Sequence, residues 1–468
     1  MNGAPSPRSD GPRSRLGGLR GDLGQLADRA LDRHLRLAVT GLRRSGKTVF
    51  TTSLVHHLLD GRGLPFLAAV HEGRYLGARL LPVRDGRAFP FEAYRAALAA
   101  DPPTWPAPTE ELSRLLLAVR FRTTNPLLRA VQPIQELVVE IVDYPGEWLL
   151  DLPLLDGSFE SFAHEAFALA ETPPRAAVAR EWLDLARRVD QTGPADPAAI
   201  DALVSAYRAY LQACRERLHL GYVVPGRFPR PGELEGHPAL RFAPLPPAPV
   251  RPGSLRAAVL DAFERYREEV VRRFWEDHLR GFDRQIVLVD LLGALNLGPA
   301  HFADTQRALE RIAGAFRYGR SGLLARLFAP RIDRVLFAAS KADHVAPSQH
   351  AALKQLLEIL VAPAGRAARF EGLVPEFLAI AALRSTDVVR TEHDGQVLSC
   401  VRGRLAENGR ETVLFPGEIP PELPEPEDWT SGRFRFRSFA PRRLRPGVAG
   451  QHIRLDQALE FLLGDKLR

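Results

Sequence analysis

The stretch Gly41-Leu42-Arg43-Arg44-Ser45-Gly46-Lys47-Thr48 reads G-x-x-x-x-G-K-T. It follows the alternating apolar residues Leu35, Leu37 and Val39. After it, Val49, Phe50, Leu54, Val55, Leu58 and Leu59 recur at helical spacing. Strand, glycine-bearing loop and helix in that order make a phosphate-binding P-loop. Its glycines let successive main-chain N–H groups turn inward on phosphates, where the following helix presents its positive end. Lys47 is placed to reach outer phosphates and the Thr48 hydroxyl to ligate Mg²⁺. A chance match in a glycine-rich chain is the alternative, and the flanking periodicity argues against it.

Working outward, residues 115–121 and 137–142 form two apolar, β-branched runs, and the second ends in Asp143-Tyr144-Pro145-Gly146. D-x-x-G at a strand end suits Asp143 to hold Mg²⁺ through a water and Gly146 to offer its N–H to a γ-phosphate. Further strands are predicted at 285–290, 334–339 and 377–382, with helices at 299–316 and 348–361 between them. This alternation argues for a doubly wound α/β sheet that binds ligands at the carboxyl ends of its strands. The strand at 334–339 runs into Ser340-Lys341-Ala342-Asp343, where guanine-specific proteins carry [N/T]-K-x-D. A carboxylate there can accept from guanine N1–H and N2–H₂ together, a donor pair that adenine lacks, while Lys341 lies along the purine. Asp290-Leu291-Leu292-Gly293 is a second D-x-x-G, and Asp143 is preferred to Asp290 for the metal.

The fold expected is thus a G-domain-like P-loop NTPase sheet, discontinuous over residues 19–150, 284–387 and 451–468. Residues 1–18 read as a disordered arm, and 19–31 as a short amphipathic helix. Residues 151–283 read as a helical insertion, with a linker at 221–253 that holds nine prolines and so resists helix and central strand. Its aromatic residues are core fillers rather than base-stacking groups. Residues 388–450 form a β-rich, proline-rich excursion with turns at 394–395 and 408–409. A hairpin is expected around 84–87.

The composition is that of a soluble globular protein, with 45% hydrophobic and 25% charged residues. The net charge of +7 is spread along the chain without a basic arm, so no nucleic-acid partner is expected. Only four lysines occur, at 47, 341, 354 and 466, and two of them stand in the motifs above. Two cysteines, Cys214 and Cys400, offer no metal cluster or disulfide framework. With no membrane-length apolar run and no signal-peptide core, a cytoplasmic location is expected, with peripheral attachment to a membrane left open.

The residues at 41–48, the stretch Asp-Tyr-Pro-Gly-Glu-Trp-Leu-Leu-Asp-Leu-Pro-Leu-Leu at 143–155, and Lys-Ala-Asp-His-Val at 341–345 together resemble the YcjX-like family of bacterial P-loop GTPases. The resemblance implies a GTP- and GDP-binding fold related to heterotrimeric G-protein α subunits, with Mg²⁺, a helical insertion, an unidentified protein partner and a link to stress responses. It assigns Gly41, Arg43, Arg44, Ser45, Gly46, Lys47, Thr48 and Val49 to the phosphate site and Gly146 to γ-phosphate sensing. Lys341, Asp343, His344, Ala381 and Ala382 are assigned to the base. At least one of Arg43 and Arg44 is expected to face solvent. Glu147 follows D-x-x-G where Ras-like proteins carry a water-orienting Gln, and its repulsion from the γ-phosphate predicts slow hydrolysis. The switch threonine is sought at Thr123 or Thr124, and an internal arginine finger at Arg120 or Arg122. The competing readings are an ATP-using ATPase or kinase, and a nucleotide-stabilised scaffold without useful turnover.

Overall fold

The computed structural model describes residues 34–107, 111–315, 332–370, 374–393 and 395–468. Seven strands build the central sheet: β1 (His34–Gly41), β2 (Tyr75–Leu81), β3 (Ser113–Arg122), β4 (Ile134–Asp143), β5 (Arg284–Val289), β6 (Arg334–Ala339) and β7 (Val374–Ala379). They lie in the order β2-β3-β4-β1-β5-β6-β7. β4, β1, β5, β6 and β7 are mutually parallel, whereas β2 and β3 pair antiparallel at one edge. β1 and β5 are buried almost throughout, as strands covered on both faces must be. This is the mixed, mostly parallel sheet of a P-loop NTPase.

One face of the sheet carries Leu35, Leu37, Val39, Leu117, Val139 and Ile141. These pack against α1 (Lys47–Asp60) and the last helix of the chain, Leu455–Leu463. α2 (Phe91–Ala99) lies beside α1 and leads towards β3. The expected hairpin around 84–87 does not form. β2 instead reaches past α2 to pair with β3, because its apolar partners lie on that long strand rather than across the Asp85-Gly86 turn.

Between β4 and β5 the chain passes through a 3₁₀ segment, Gly146–Leu155, then α3 (Phe159–Ala170), α4 (Ala176–Arg188), α5 (Pro197–Glu216) and α6 (Leu255–Arg265). α6 continues through a π-helical stretch, Tyr266–Arg272, into Arg273–Asp277. The helices start where the sequence supplies caps: Ser158 for α3, Asp196 followed by Pro197 for α5, and Ser254 for α6. Trp182, Tyr207, Tyr210, Phe228, Phe242 and Phe263 fill the space between them, in one apolar cluster with Ala38, Val142, Val287 and Phe337 on the second face of the sheet. The helical segment and the sheet therefore share a core.

α7 (Leu291–Leu297), α8 (Pro299–Ala315) and α9 (His350–Phe370) connect the later strands, and Leu455–Leu463 is α10. A separate three-stranded antiparallel sheet, β8 (Thr386–His393), β9 (Gln396–Arg404) and β10 (Glu411–Leu414), follows β7. The N-terminal arm, the 19–31 helix, position 316 of the helix after β5 and Asp394 of a predicted turn lie outside the described residues.

Candidate functional site

The P-loop spans the end of β1 and the start of α1. Gly46 takes φ 83° and caps α1, a left-handed conformation that a Cβ penalises. Arg44, at φ 64°, shares it. Ser45 N–H donates to Leu42 C=O at 3.1 Å, closing the turn. Lys47 and Thr48 are buried in the first turn of α1, and Lys47 Nζ forms an ion pair with Asp143. Val49 packs in a small cluster with Leu98, Leu383 and Leu444.

Asp143 reaches this place because β1 and β4 are parallel neighbours with Val39 opposite Asp143. Three residues on, Gly146 lies against the P-loop backbone. A Cβ there would stand 2.8 Å from Gly41 O and 3.2 Å from Thr40 Oγ1, so only glycine permits the approach.

The Lys341–Asp343 segment ends β6, two strands from β1 through β5. At a strand spacing of about 4.8 Å, that is about 10 Å from the P-loop, within the reach of one nucleotide. Lys341 adopts φ 61°. Non-glycine residues in that region are uncommon and concentrate at functional sites. Lys341 pairs with Asp290, whose other carboxylate oxygen accepts from Gly293 N–H at 2.9 Å. The second D-x-x-G carboxylate is thereby committed to capping α7 and holding this lysine.

Asp343 Oδ2 accepts from Ser385 N–H at 2.7 Å and from Ser385 Oγ–H at 2.6 Å. His344 is buried, with Nε2 3.2 Å from Ser385 Oγ and its ring edge-on to Phe439. Burial lowers its pKa. Ser385 was not among the sequence candidates. Its signal was the polar pair Ser385-Thr386 following an apolar strand, where two hydroxyls next to a buried surface need partners.

Ala381, which the resemblance assigns to the base, stands just after β7 with its backbone in a bridge to Ile453. Its N–H donates to Ile453 C=O at 3.0 Å and its C=O accepts from Ile453 N–H at 2.8 Å, so a backbone bridge has taken that donor. Ala382, the next residue, is half-buried against the α1 face.

Arg120, Arg122, Thr123 and Thr124 do not join the site. β3 runs antiparallel to β4, with Ser113 opposite Asp143, Arg120 opposite Glu136 and Arg122 opposite Ile134. At about 3.4 Å per residue, Arg120 and Arg122 stand about 24 and 30 Å from Asp143. The Thr123 hydroxyl donates to Arg468 C=O at 3.0 Å. The expectation placed the site at the wrong end of β3, because antiparallel pairing sends the residues that precede this strand, not those that follow it, towards the P-loop.

An arginine does approach, from the helical segment. Arg215, in the last turn of α5, has Nη2 3.8 Å from Glu147 Oε1, both side chains largely buried. Arg43 Nη1 donates to Arg215 C=O at 2.8 Å, so this P-loop side chain touches the insertion, although Arg43 and Arg44 are both exposed. Burial, then Arg215, Arg44 and Arg230, lower the pKa of Arg43. That cluster of guanidinium groups is a field suited to anions. Gly226, also from the helical segment, packs on Glu147: a Cβ there would meet Glu147 O at 2.1 Å. Gly226 N–H donates to Asp151 at 2.7 Å and Tyr266 O–H to its other oxygen at 2.6 Å. No motif marks Arg215 or Gly226, since their role arises only from the folding of α5 and the linker onto Glu147.

Residues 35–467 match the model of the YcjX-like family, DUF463. The Ras-like GTPase YcjX of Escherichia coli (strain K12) is 41% identical over 465 residues, covering 96% of this chain and 99% of the relative. The Ras-like GTPase YcjX of Shewanella oneidensis is 38% identical over 475 residues, covering 94% and 96%. The chain belongs to the YcjX-like family.

Proposed function

We propose that this chain binds GTP with Mg²⁺ across the β1–α1 loop and the Lys341–Asp343 segment, hydrolyses it slowly, and serves as a nucleotide-dependent switch. The observation that carries the reading is the convergence of three motifs on the carboxyl ends of neighbouring parallel strands, with Gly146 in contact with Gly41 and Lys47 beside Asp143. The names of the relatives support guanine as the base and hydrolysis as the reaction. A role in a bacterial stress response belongs to the reading through family resemblance alone.

The residues present fit a hard cation. Thr48 offers a hydroxyl and Asp143 a carboxylate, both buried and adjacent to the Lys47 ammonium. When bound, Mg²⁺ supplies charge neutralisation of phosphate oxygens. Lys47, Gly46 N–H and the start of α1 hold phosphate. Asp343, oriented by two donors from Ser385, selects the base. Glu147 is the carboxylate nearest in sequence to the γ-phosphate sensor Gly146, and its repulsion is moderated by Arg215. The arginine role that the resemblance implied passes in this reading from Arg120 and Arg122 to Arg215.

The test is competition of GTP and ATP for a fluorescent guanine nucleotide, with Asp343→Asn alongside. The wild type is expected to prefer GTP, and the variant to lose that preference by at least about tenfold. Equal binding of ATP and GTP by the wild type would defeat the guanine reading and favour an ATP-using protein.

A further inference from the structure

The β3–β4 connection stands at the end of the sheet opposite the P-loop, since β1 and β4 run in the same direction and finish together at Val39 and Asp143. Every residue from 124 to 134 is exposed. Among them, Leu127 is 81% and Val131 86% exposed, with Leu128 and Ile134 also open to solvent. Three of these aliphatic residues sit on one short helical turn, Pro126–Val131. Asn125 Oδ1 accepts from Leu127 N–H at 3.0 Å and Leu128 N–H at 3.4 Å, so the backbone of the turn is fixed before anything covers it.

The tip itself, residues 124–134, carries only positive charge, and Glu136 stands opposite Arg120 on the strands behind it. Arg120, Arg122 and Arg129 are exposed, and no Asp or Glu occurs from residue 112 to 135. Glu136, the first carboxylate after the tip, lies 3.4 Å from Arg79. Residues 123–135 contain no Trp, Tyr or Phe. Single-strand nucleic-acid sites are built on such rings, and the residues that project furthest here, Leu127 and Val131, are of types under-represented at protein hot spots. Projecting aliphatic residues on a tip whose own charge is all arginine suit a surface that is apolar beneath and anionic on top, which is the interface of a negatively charged bilayer.

We propose that the 124–134 tip is a membrane-insertion element that seats the chain on an anionic lipid surface. Leu127, Leu128 and Val131 enter the acyl boundary, and Arg120, Arg122 and Arg129 meet headgroup phosphates. The tip and the P-loop occupy opposite ends of β4, about 30 Å apart for its ten residues. Seating therefore leaves the P-loop facing away from the membrane, and lipid binding does not depend on the nucleotide reading.

The experiment is co-sedimentation of the full chain with phosphatidylcholine vesicles containing phosphatidylserine, and with vesicles of phosphatidylcholine alone. The expected result is pelleting on the anionic vesicles, at least about tenfold weaker on the neutral ones and at ionic strength near 1 M, where the Debye length is about 3 Å. Leu127→Glu/Val131→Glu should lose pelleting by at least about tenfold with an unchanged melting midpoint, both side chains being exposed. Arg122→Glu/Arg129→Glu should lose the preference for anionic vesicles. Wild-type chain that stays in the supernatant with anionic vesicles overturns the proposal, and so does a Leu127→Glu/Val131→Glu chain that pellets like wild type. If the tip serves a protein partner instead, the first of these results is the one obtained.

Discussion

Replacing Gly226 by Ala tests whether the helical segment is fastened to the residue that follows D-x-x-G. The added Cβ would lie 2.1 Å from Glu147 O, 2.7 Å from Glu147 C and 3.3 Å from Glu147 Cβ. Two of these partners are backbone atoms, so no side-chain rotation relieves the clash, and the two segments must part by about 1 Å to restore contact distance. Overpacking of that kind costs about 1–3 kcal/mol. The same displacement stretches the 2.7 Å hydrogen bond from Gly226 N–H to the buried Asp151 carboxylate, and a bond to a charged group contributes about 1.5–3 kcal/mol. The two terms together bound the loss at about 2.5–6 kcal/mol, and relaxation, by sharing the strain between them, keeps it below the upper end. The assays are the melting midpoint, expected to fall by several degrees, and single-turnover hydrolysis of GTP, expected to slow while nucleotide affinity holds. The P-loop, Asp143 and Asp343 do not touch the substituted position. A variant with wild-type melting and turnover would refute the claim that Glu147 is held by a tight backbone contact.

Arg215→Ala should slow hydrolysis by at least about tenfold with little effect on GDP affinity, measured by phosphate release and by titration, since its contact is with Glu147 rather than the P-loop glycines. Ser385→Ala removes a hydroxyl donor from Asp343 and should cost about 1–3 kcal/mol in denaturant unfolding, with the main-chain N–H of residue 385 still in place. His57 packs between His56 and His452, and burial followed by those neighbours depresses its pKa to about 4. The stability it allows is intact above its ordinary value of 6.5 and is lost as pH falls towards 4, by up to about 3 kcal/mol, so His57→Leu should flatten that part of the stability–pH curve. Asp151 has the opposite sign: burial raises its carboxyl from 3.8 to about 6, so its penalty is absent below 3.8 and complete above 6. Asp151→Asn, whose amide oxygen still accepts from Gly226 N–H and whose NH₂ can donate to the Tyr266 hydroxyl oxygen in place of the bond now accepted from it, should raise the melting midpoint at pH 7, and a fall would show that the ionised carboxylate is needed.

The sheet was legible because its strands are nearly all apolar runs with one environment on both faces. Residues 285–289 and 334–339 are such runs, and Leu35 to Val39 alternates ahead of the glycine-bearing loop. β7 is displaced by three residues from its expected span, since the apolar run continues into Ile380, whose backbone bonds to Ala339 and Ala342, and Ala381, which pairs with Ile453 through a bridge rather than a ladder. The positions of Asp143, Gly146, Lys341 and Asp343 follow from strand ends, which hydrophobic patterning marks well. Arg120 and Thr123 were misplaced because a strand pattern carries no direction: the same alternation fits a parallel or an antiparallel neighbour. Arg215 and Gly226 were invisible for a different reason, since each acts through a long-range contact to a motif residue and has no local pattern of its own, and Ser385 left only the mark of two hydroxyls after an apolar strand.

The point of insertion explains why those contacts fall where they do. The helical segment leaves the sheet directly after Gly146, so Trp148, Leu149, Leu150 and Leu152 belong at once to the segment proposed to sense the γ-phosphate and to the core beneath α3 to α6. A sensor anchored by four apolar side chains does not swing as a free loop, because withdrawing any one of them from that core forfeits about 1.5–3 kcal/mol. Movement of Gly146 must therefore be carried as a shift of the packed segment, with Gly226 against Glu147 and Arg215 beside it as the points of transmission. Arg311 ties the far end: it donates to Leu150 C=O at 2.8 Å and to Glu165 at 2.9 Å, linking α8, the 3₁₀ segment and α3. Under the proposed switch, a change at Gly146 thus reaches both α5 and α8 through buried contacts, and the surface to test for a nucleotide-dependent partner is on those helices rather than on the loop itself.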